Sequence, residues 1–144
     1  MKKIIFMLSF LLLFLLATPL TYAKSVDKKP TEEELVMDMF LSLLLPTIQE
    51  AVTHYYSAYF TESPLVYPYE INILKKERVN ESFQFTITVE VTPVLGAHNP
   101  VGKDHLTFSI TPSDIKLLKF KHIEDYELPP HLQQSKKNKR TKEN

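Results

Sequence analysis

The amino-acid sequence predicts an α+β domain in which an N-terminal kinked helix, or a helix pair, packs on a four-stranded antiparallel meander. Three observations carry that expectation. Apolar residues recur at helical spacing between Leu35 and Tyr59, apolar and polar residues alternate from Phe83 onward, and turn-forming residues punctuate the alternating runs. A helix stripe and a sheet face of this kind must each be buried, and the simplest arrangement has them bury one another.

The helical region opens with Pro30-Thr31-Glu32-Glu33-Glu34. Thr31 is placed to cap the first turn, Glu34 follows three residues on for a reciprocal capping box, and acidic residues suit the positive end of the helix dipole. Leu35, Val36, Met39, Phe40, Leu43 and Leu44 form an apolar stripe, Pro46 interrupts it, and Ile48, Val52, Tyr55, Tyr56 and Tyr59 resume it. Proline either kinks a helix or opens a new one, so the region reads as 31–45 and 46–60, continuous or abutting. Tyrosines at this spacing point to core packing with hydroxyls near water rather than to a ligand platform.

Pro64 and Pro68 fix an extended connector, and residues 69–78 read as a first strand. The clearest pattern lies in 81–94, where Phe83, Phe85, Ile87, Val89 and Val91 alternate with Gln84, Thr86, Thr88, Glu90 and Thr92. That is the period of a half-buried strand. Leu106, Phe108 and Ile110 repeat it in a third strand, Thr111-Pro112-Ser113-Asp114 turns the chain, 115–122 makes a fourth, and Leu128-Pro129-Pro130 closes the domain. In outline, a helix followed by a curved sheet is similar to the cystatin and nuclear-transport-factor-like arrangements, a likeness of architecture that implies no activity.

Residues 1–23 have the three parts of a secretory signal peptide. Lys2 and Lys3 precede the apolar run of residues 4–16, and Thr21-Tyr22-Ala23 forms a small-residue cleavage site ahead of Lys24. The run is short for a membrane span, which needs about 20 apolar residues, and no second spanning stretch is expected. Residues 24–30 then read as a linker, 31–133 as a single α+β domain and 134–144 as a basic disordered tail. The 144 residues carry 17 basic and 17 acidic side chains, but this balance averages unlike parts. Residues 31–133 hold 15 acidic and 7 basic side chains, whereas the tail gathers Lys136, Lys137, Lys139, Arg140 and Lys142 against Glu143. Without a net basic field the simplest nucleic-acid reading is excluded. The tail suits weak contact with an anionic cell wall or membrane surface, or is a solvated terminus. A cysteine-free exported chain has no disulfide staple, which suits a monoderm bacterial exterior better than an animal secretory pathway. In that setting Asn80-Glu81-Ser82 matches the glycosylation sequon by chance.

Both glycines of the chain fall in one segment, Gly96-Ala97-His98-Asn99-Pro100-Val101-Gly102-Lys103-Asp104-His105. As a link between neighbouring strands, 96–104 is longer than the roughly two to five residues usual in a hairpin. It also concentrates titratable groups, so His98, Asn99, Lys103, Asp104 and His105 are the candidate binding residues. The plainer reading is a long connection rich in turn formers.

Known chemistries fit this segment poorly. Its glycine spacing departs from the P-loop, no Ser or Thr follows Lys103, and it feeds a strand instead of a helix. His98, Asp104 and His105, with His54 or His122 from elsewhere, supply metal-binding atoms without compact ligand spacing. The serines lack the glycine context of a nucleophile elbow. Glu70, Glu90 and Glu124 have no spacing that would pair two of them for acid–base work. No catalytic residue, metal or cofactor is expected.

Several segments together carry a family resemblance: Glu33-Glu34-Leu35 with Met37-Asp38-Met39-Phe40, Tyr67-Pro68-Tyr69, Glu90-Val91-Thr92-Pro93-Val94, Gly96 through Phe108, and Tyr126-Glu127-Leu128-Pro129-Pro130-His131-Leu132. Over about residues 32–132 the chain resembles domain-of-unknown-function family 3888, small exported proteins of Gram-positive spore-forming bacteria. The resemblance implies export and a single domain, and it transfers no activity, ligand or catalytic residue.

The leading expectation is therefore an exported, non-enzymatic binding domain whose partner is an unknown protein or envelope polymer. It would use 96–105, together with the polar sheet face around Thr86, Thr88, Glu90 and Thr92. The alternative is a small-ligand or hydrolytic pocket between helix and sheet, lined by His54, Tyr55, Tyr56 and Tyr59.

Overall fold

The computed structural model describes residues 29–137. The predicted signal peptide (1–23), residues 24–28 of the predicted linker and residues 138–144 of the predicted tail lie outside the described residues. Among the described residues, one helix, α1 (Glu32–Tyr56), is followed by six strands: β1 (Ile71–Val79), β2 (Gln84–Val91), β3 (Val94–Leu95), β4 (Asn99–Pro100), β5 (Gly102–Ile110) and β6 (Ile115–Asp125). Single 3₁₀ segments precede β1 (Pro68–Glu70) and follow β6 (Pro130–Ser135). The main sheet has the order β1-β2-β5-β6 with every neighbour antiparallel, and β3 pairs with β4 in a separate small hairpin between β2 and β5. The predicted helix on a four-stranded antiparallel sheet is the observed α+β arrangement.

The predicted capping box is formed. The Thr31 hydroxyl accepts from the Glu34 amide at 3.1 Å, and the Glu34 carboxylate accepts from the Thr31 amide at 2.6 Å. Helix α1 then runs unbroken through Pro46, which neither ends it nor starts a second helix. An internal proline forfeits a backbone hydrogen bond, at a cost of about 3 kcal/mol. Leu44 and Ile48, fully buried on either side of it, hold the helix to the sheet across that gap. By length and a mean hydropathy of 1.5 the helix is long and apolar enough to cross a membrane. However, Leu41, Leu44, Ile48, Ala51, Val52 and Tyr56 are buried in the domain, so it is the core helix of this fold. Leu35, Val36, Met39 and Leu43, predicted on the buried stripe, are exposed. Tyr59 lies beyond the helix end, in a turn where the Tyr59 and Phe60 amides donate back to the Tyr56 carbonyl at 2.9 Å.

The second strand is shorter than its alternation suggests. Asn80 and Glu81 both have positive φ, 49° and 51°, so a tight turn separates β1 from β2. Phe83 stays outside the strand and exposed, with the Arg78 guanidinium 5.4 Å from its ring centre. Ile87, Val89 and Val91 from β2 and Leu106 and Phe108 from β5 meet the helix in the core. Pairing places Thr86, Thr88 and Glu90 opposite Ser109, Thr107 and His105 on the other, helix-free face.

The domain also extends past its predicted end at 133. Lys136 bridges to Phe60, the Thr61 amide donates to the Ser135 carbonyl at 2.9 Å, and the Lys137 amide donates to the Tyr59 carbonyl at 2.7 Å. Residues 134–137, assigned by composition to the tail, are thereby tied to the end of α1.

Candidate functional site

The predicted binding segment is not one loop. β5 begins at Gly102, four residues before the first expected strand position, and β3–β4 folds the preceding residues into a hairpin. His98 and Asn99 stay on that hairpin. Gly96 and His98 both have positive φ, 55° and 59°, and the Asn99 side-chain amide donates to the Leu95 carbonyl at 3.2 Å. The His98 Nδ1 lies 3.3 Å from the Tyr69 hydroxyl. Lys103 and His105 lie on the helix-free face of the sheet, where the His105 Nε2 is 3.0 Å from the Glu90 carboxylate. Asp104, by strand alternation, points the opposite way and is completely buried. The five residues therefore do not share a surface, and Asp104 cannot belong to an exposed binding loop.

Asp104 instead sits at the centre of a buried polar cluster. Its Oδ2 accepts from the Tyr56 hydroxyl at 2.9 Å, and its Oδ1 lies 2.7 Å from His122 Nδ1. Three elements meet here: the last turn of α1, the start of β5 and the far half of β6. The elements approach so closely because Gly102 has no side chain. A Cβ there would lie 2.6 Å from the Tyr56 hydroxyl, 2.7 Å from the Glu124 carbonyl and 3.0 Å from His122 Cε1.

The electrostatics follow from burial. Removal from water pushes the Asp104 carboxyl above its ordinary value of 3.8, while the hydrogen bonds from His122 and Tyr56 pull it back. Burial first, and then the Asp104 charge, hold the Tyr56 phenol far above its usual range. With the carboxylate ionised, His122 Nδ1 must carry the donated proton, which leaves Nε2 as the second functional atom of the ring. That nitrogen is buried and lies 3.2 Å from Asp125 Oδ1 without the alignment of a hydrogen bond. The Asp125 side chain covering it is 91% exposed. Tyr55 stacks on the imidazole at 5.4 Å and on Phe120 at 4.5 Å between ring centres.

A cavity of about 590 Å³ opens beside this cluster, lined by Tyr55, Tyr56, Tyr59, His122, Asp125, Lys136 and Lys137 among others. A second, of about 460 Å³, lies along α1 and β6 and includes His54, Tyr55, Glu50 and Lys116. The predicted set of His54 and three tyrosines is thus divided between two cavities that share Tyr55. Among the described residues, no three His, Asp or Glu side chains converge as a metal site. Sequence reading missed His122 as the partner of Asp104. The available signal was a carboxylate at an inward register position, in line with Leu106 and Phe108, which requires a buried partner.

The fold and this centre define a small α+β domain built around a buried tyrosine–aspartate–histidine cluster. The family model described as "Protein of unknown function (DUF3888)" matches residues 36–124. The chain belongs to that family. The matched region contains Tyr56, Gly102, Asp104 and His122, while Asp125, Lys136 and Lys137 lie beyond it. No curated protein and no solved structure matched the chain.

Proposed function

We propose that the protein is an exported, non-enzymatic binding domain that takes a small ring-bearing ligand in the cavity between α1 and β6. The observation that carries this reading is the placement of a roomy, tyrosine-walled cavity beside the Tyr56–Asp104–His122 cluster. Aromatic walls with a few convergent polar groups are the usual make-up of a small-molecule site. Tyr55 and Tyr59 offer ring faces, and Lys136 and Lys137 favour an anionic substituent. Binding is preferred to catalysis because His122 is paired with Asp104 at Nδ1, and its Nε2, which makes no hydrogen bond, is buried beneath the Asp125 side chain.

The test uses 4-hydroxybenzoate, phenyl phosphate and N-acetylglucosamine as probes, followed through backbone amide NMR shifts. Shifts centred on Ala58, Val101 and Tyr126, weakened at least tenfold by Tyr55→Ala with Tyr59→Ala, are expected. Shifts confined to residues 96–99, or no shift with any probe, would overturn the proposal.

Export rests on Lys2 and Lys3, the apolar run of residues 4–16 and the Thr21-Tyr22-Ala23 site. N-terminal sequencing of the protein recovered from culture medium or cell wall is expected to begin at Lys24. Retention of residues 1–23 on a cell-internal protein would remove this part.

A further inference from the structure

Charge is sorted by element in this domain. All seven basic side chains of residues 31–133 lie on the sheet: Lys75, Lys76 and Arg78 on β1, Lys103 on β5, and Lys116, Lys119 and Lys121 on β6. Helix α1 has none. Strand register sorts them again. Lys75 pairs with Thr88, while Lys116, Lys119 and Lys121 pair with Ser109, Thr107 and His105, so these four share the helix-free face with Lys103. At every paired position of β2, β5 and β6 on that face the side chain is polar or charged. Lys75 is engaged with Glu77 at 2.9 Å, and Glu90 with His105. Among the described residues, Lys103, Lys116, Lys119 and Lys121 make no ion pair.

We propose that this face binds a linear polyanion bearing phosphate groups, laid along β6. Outward residues two apart on a strand are about 6.6 Å apart, so Lys119 and Lys121 present ammonium groups in a row that Lys116 extends. Beside them the Thr88 and Thr107 hydroxyls hydrogen-bond one another at 3.1 Å, which leaves one of the two free to donate to a phosphate oxygen. The paired positions of this face on β2, β5 and β6 carry no apolar side chain. On β6 the exposed apolar groups are Leu118 and Ile123 at the register shifts, too few to anchor in a bilayer, which favours a polymer over a membrane. The competing account is that β6, an edge strand, carries lysines only to discourage pairing with another chain.

The two accounts separate in one experiment. The purified chain is titrated with long-chain inorganic polyphosphate at several salt concentrations, beside a Lys116→Gln/Lys119→Gln/Lys121→Gln variant and a Lys76→Gln/Arg78→Gln control, whose residues pair with Ile87 and Phe85 at positions of the other face. The expected result is salt-dependent binding that the triple variant weakens at least tenfold while staying monomeric and native. Its log–log salt slope should be shallower by about two, given roughly 0.7 per phosphate contact on a flexible strand. Four outcomes would overturn the proposal. They are no binding by the wild type, equal loss in the control, self-association of the triple variant with unchanged binding, and equal or tighter binding to anionic phospholipid vesicles.

Discussion

Gly102→Ala is expected to lower the unfolding free energy by about 2–3 kcal/mol, the usual cost of forcing a methyl group into a closed site. The added Cβ would meet the Tyr56 hydroxyl at 2.6 Å and the Glu124 carbonyl at 2.7 Å, and a main-chain oxygen cannot swing aside as a flexible side-chain tip does. For a domain of this size the melting temperature should fall by roughly 10 °C. Gly96→Ala is the informative comparison. Gly96 needs its positive φ of 55°, but its nearest neighbours stand at 3.8 Å, so only backbone strain of about 1 kcal/mol is added. Urea titrations of both variants check the contrast. Equal midpoints for Gly102→Ala and the wild type would mean that helix and sheet separate easily at this point and that the polar cluster is not held by close packing.

Asp104→Asn, nearly unchanged in volume, is expected to cost roughly 3 kcal/mol, because breaking a buried pair leaves its partner uncompensated. Two donors converge on the carboxylate, one on each oxygen, and an amide would set its own donor NH2 group against one of them. The pH dependence has a definite sign. A carboxyl whose value is raised in the fold holds its proton more tightly there than in the unfolded chain. Its contribution to stability is therefore complete below about 3.8 and declines as pH rises through the raised value. The asparagine variant does not titrate at this position. The stability advantage of wild type over variant should accordingly shrink across that window. An advantage that is flat, or grows with pH, would show that hydrogen bonding outweighs desolvation at Asp104.

The architecture was legible because Ile87, Val89 and Val91, then Leu106 and Phe108, repeat a two-residue period that only a one-sided sheet requires. The centre of the site was not, for two physical reasons. The turn formers between Gly96 and Pro100 belong to a true hairpin, but Gly102 and Asp104 continue the inward register of β5, and a glycine and a carboxylate do not look like core. On β6, alternation counted from Ile115 through Leu117 would send His122 outward. The register shift opposite Thr107/Phe108 reverses that parity and brings Phe120 and His122 inside. The adjacent Leu117-Leu118 is the trace it leaves in the sequence. Pro46 was ambiguous because its effect depends on burial at Leu44 and Ile48, which spacing suggests but cannot weigh against a broken turn.

The ties between the end of α1 and residues 135–137 set an order of events during folding. The β1–β2 and β5–β6 hairpins join near neighbours and can form early, whereas Thr61 and Ser135 stand 74 residues apart and Ser57 and Lys137 stand 80 apart. Contacts of such separation repay their loop-closure entropy only after the intervening chain has organised. The part of the cavity lining that Lys136 and Lys137 supply is thus expected to assemble last. A chain ending before Ser135 is therefore expected to keep its hairpins and to lack the Lys136–Lys137 part of the pocket lining.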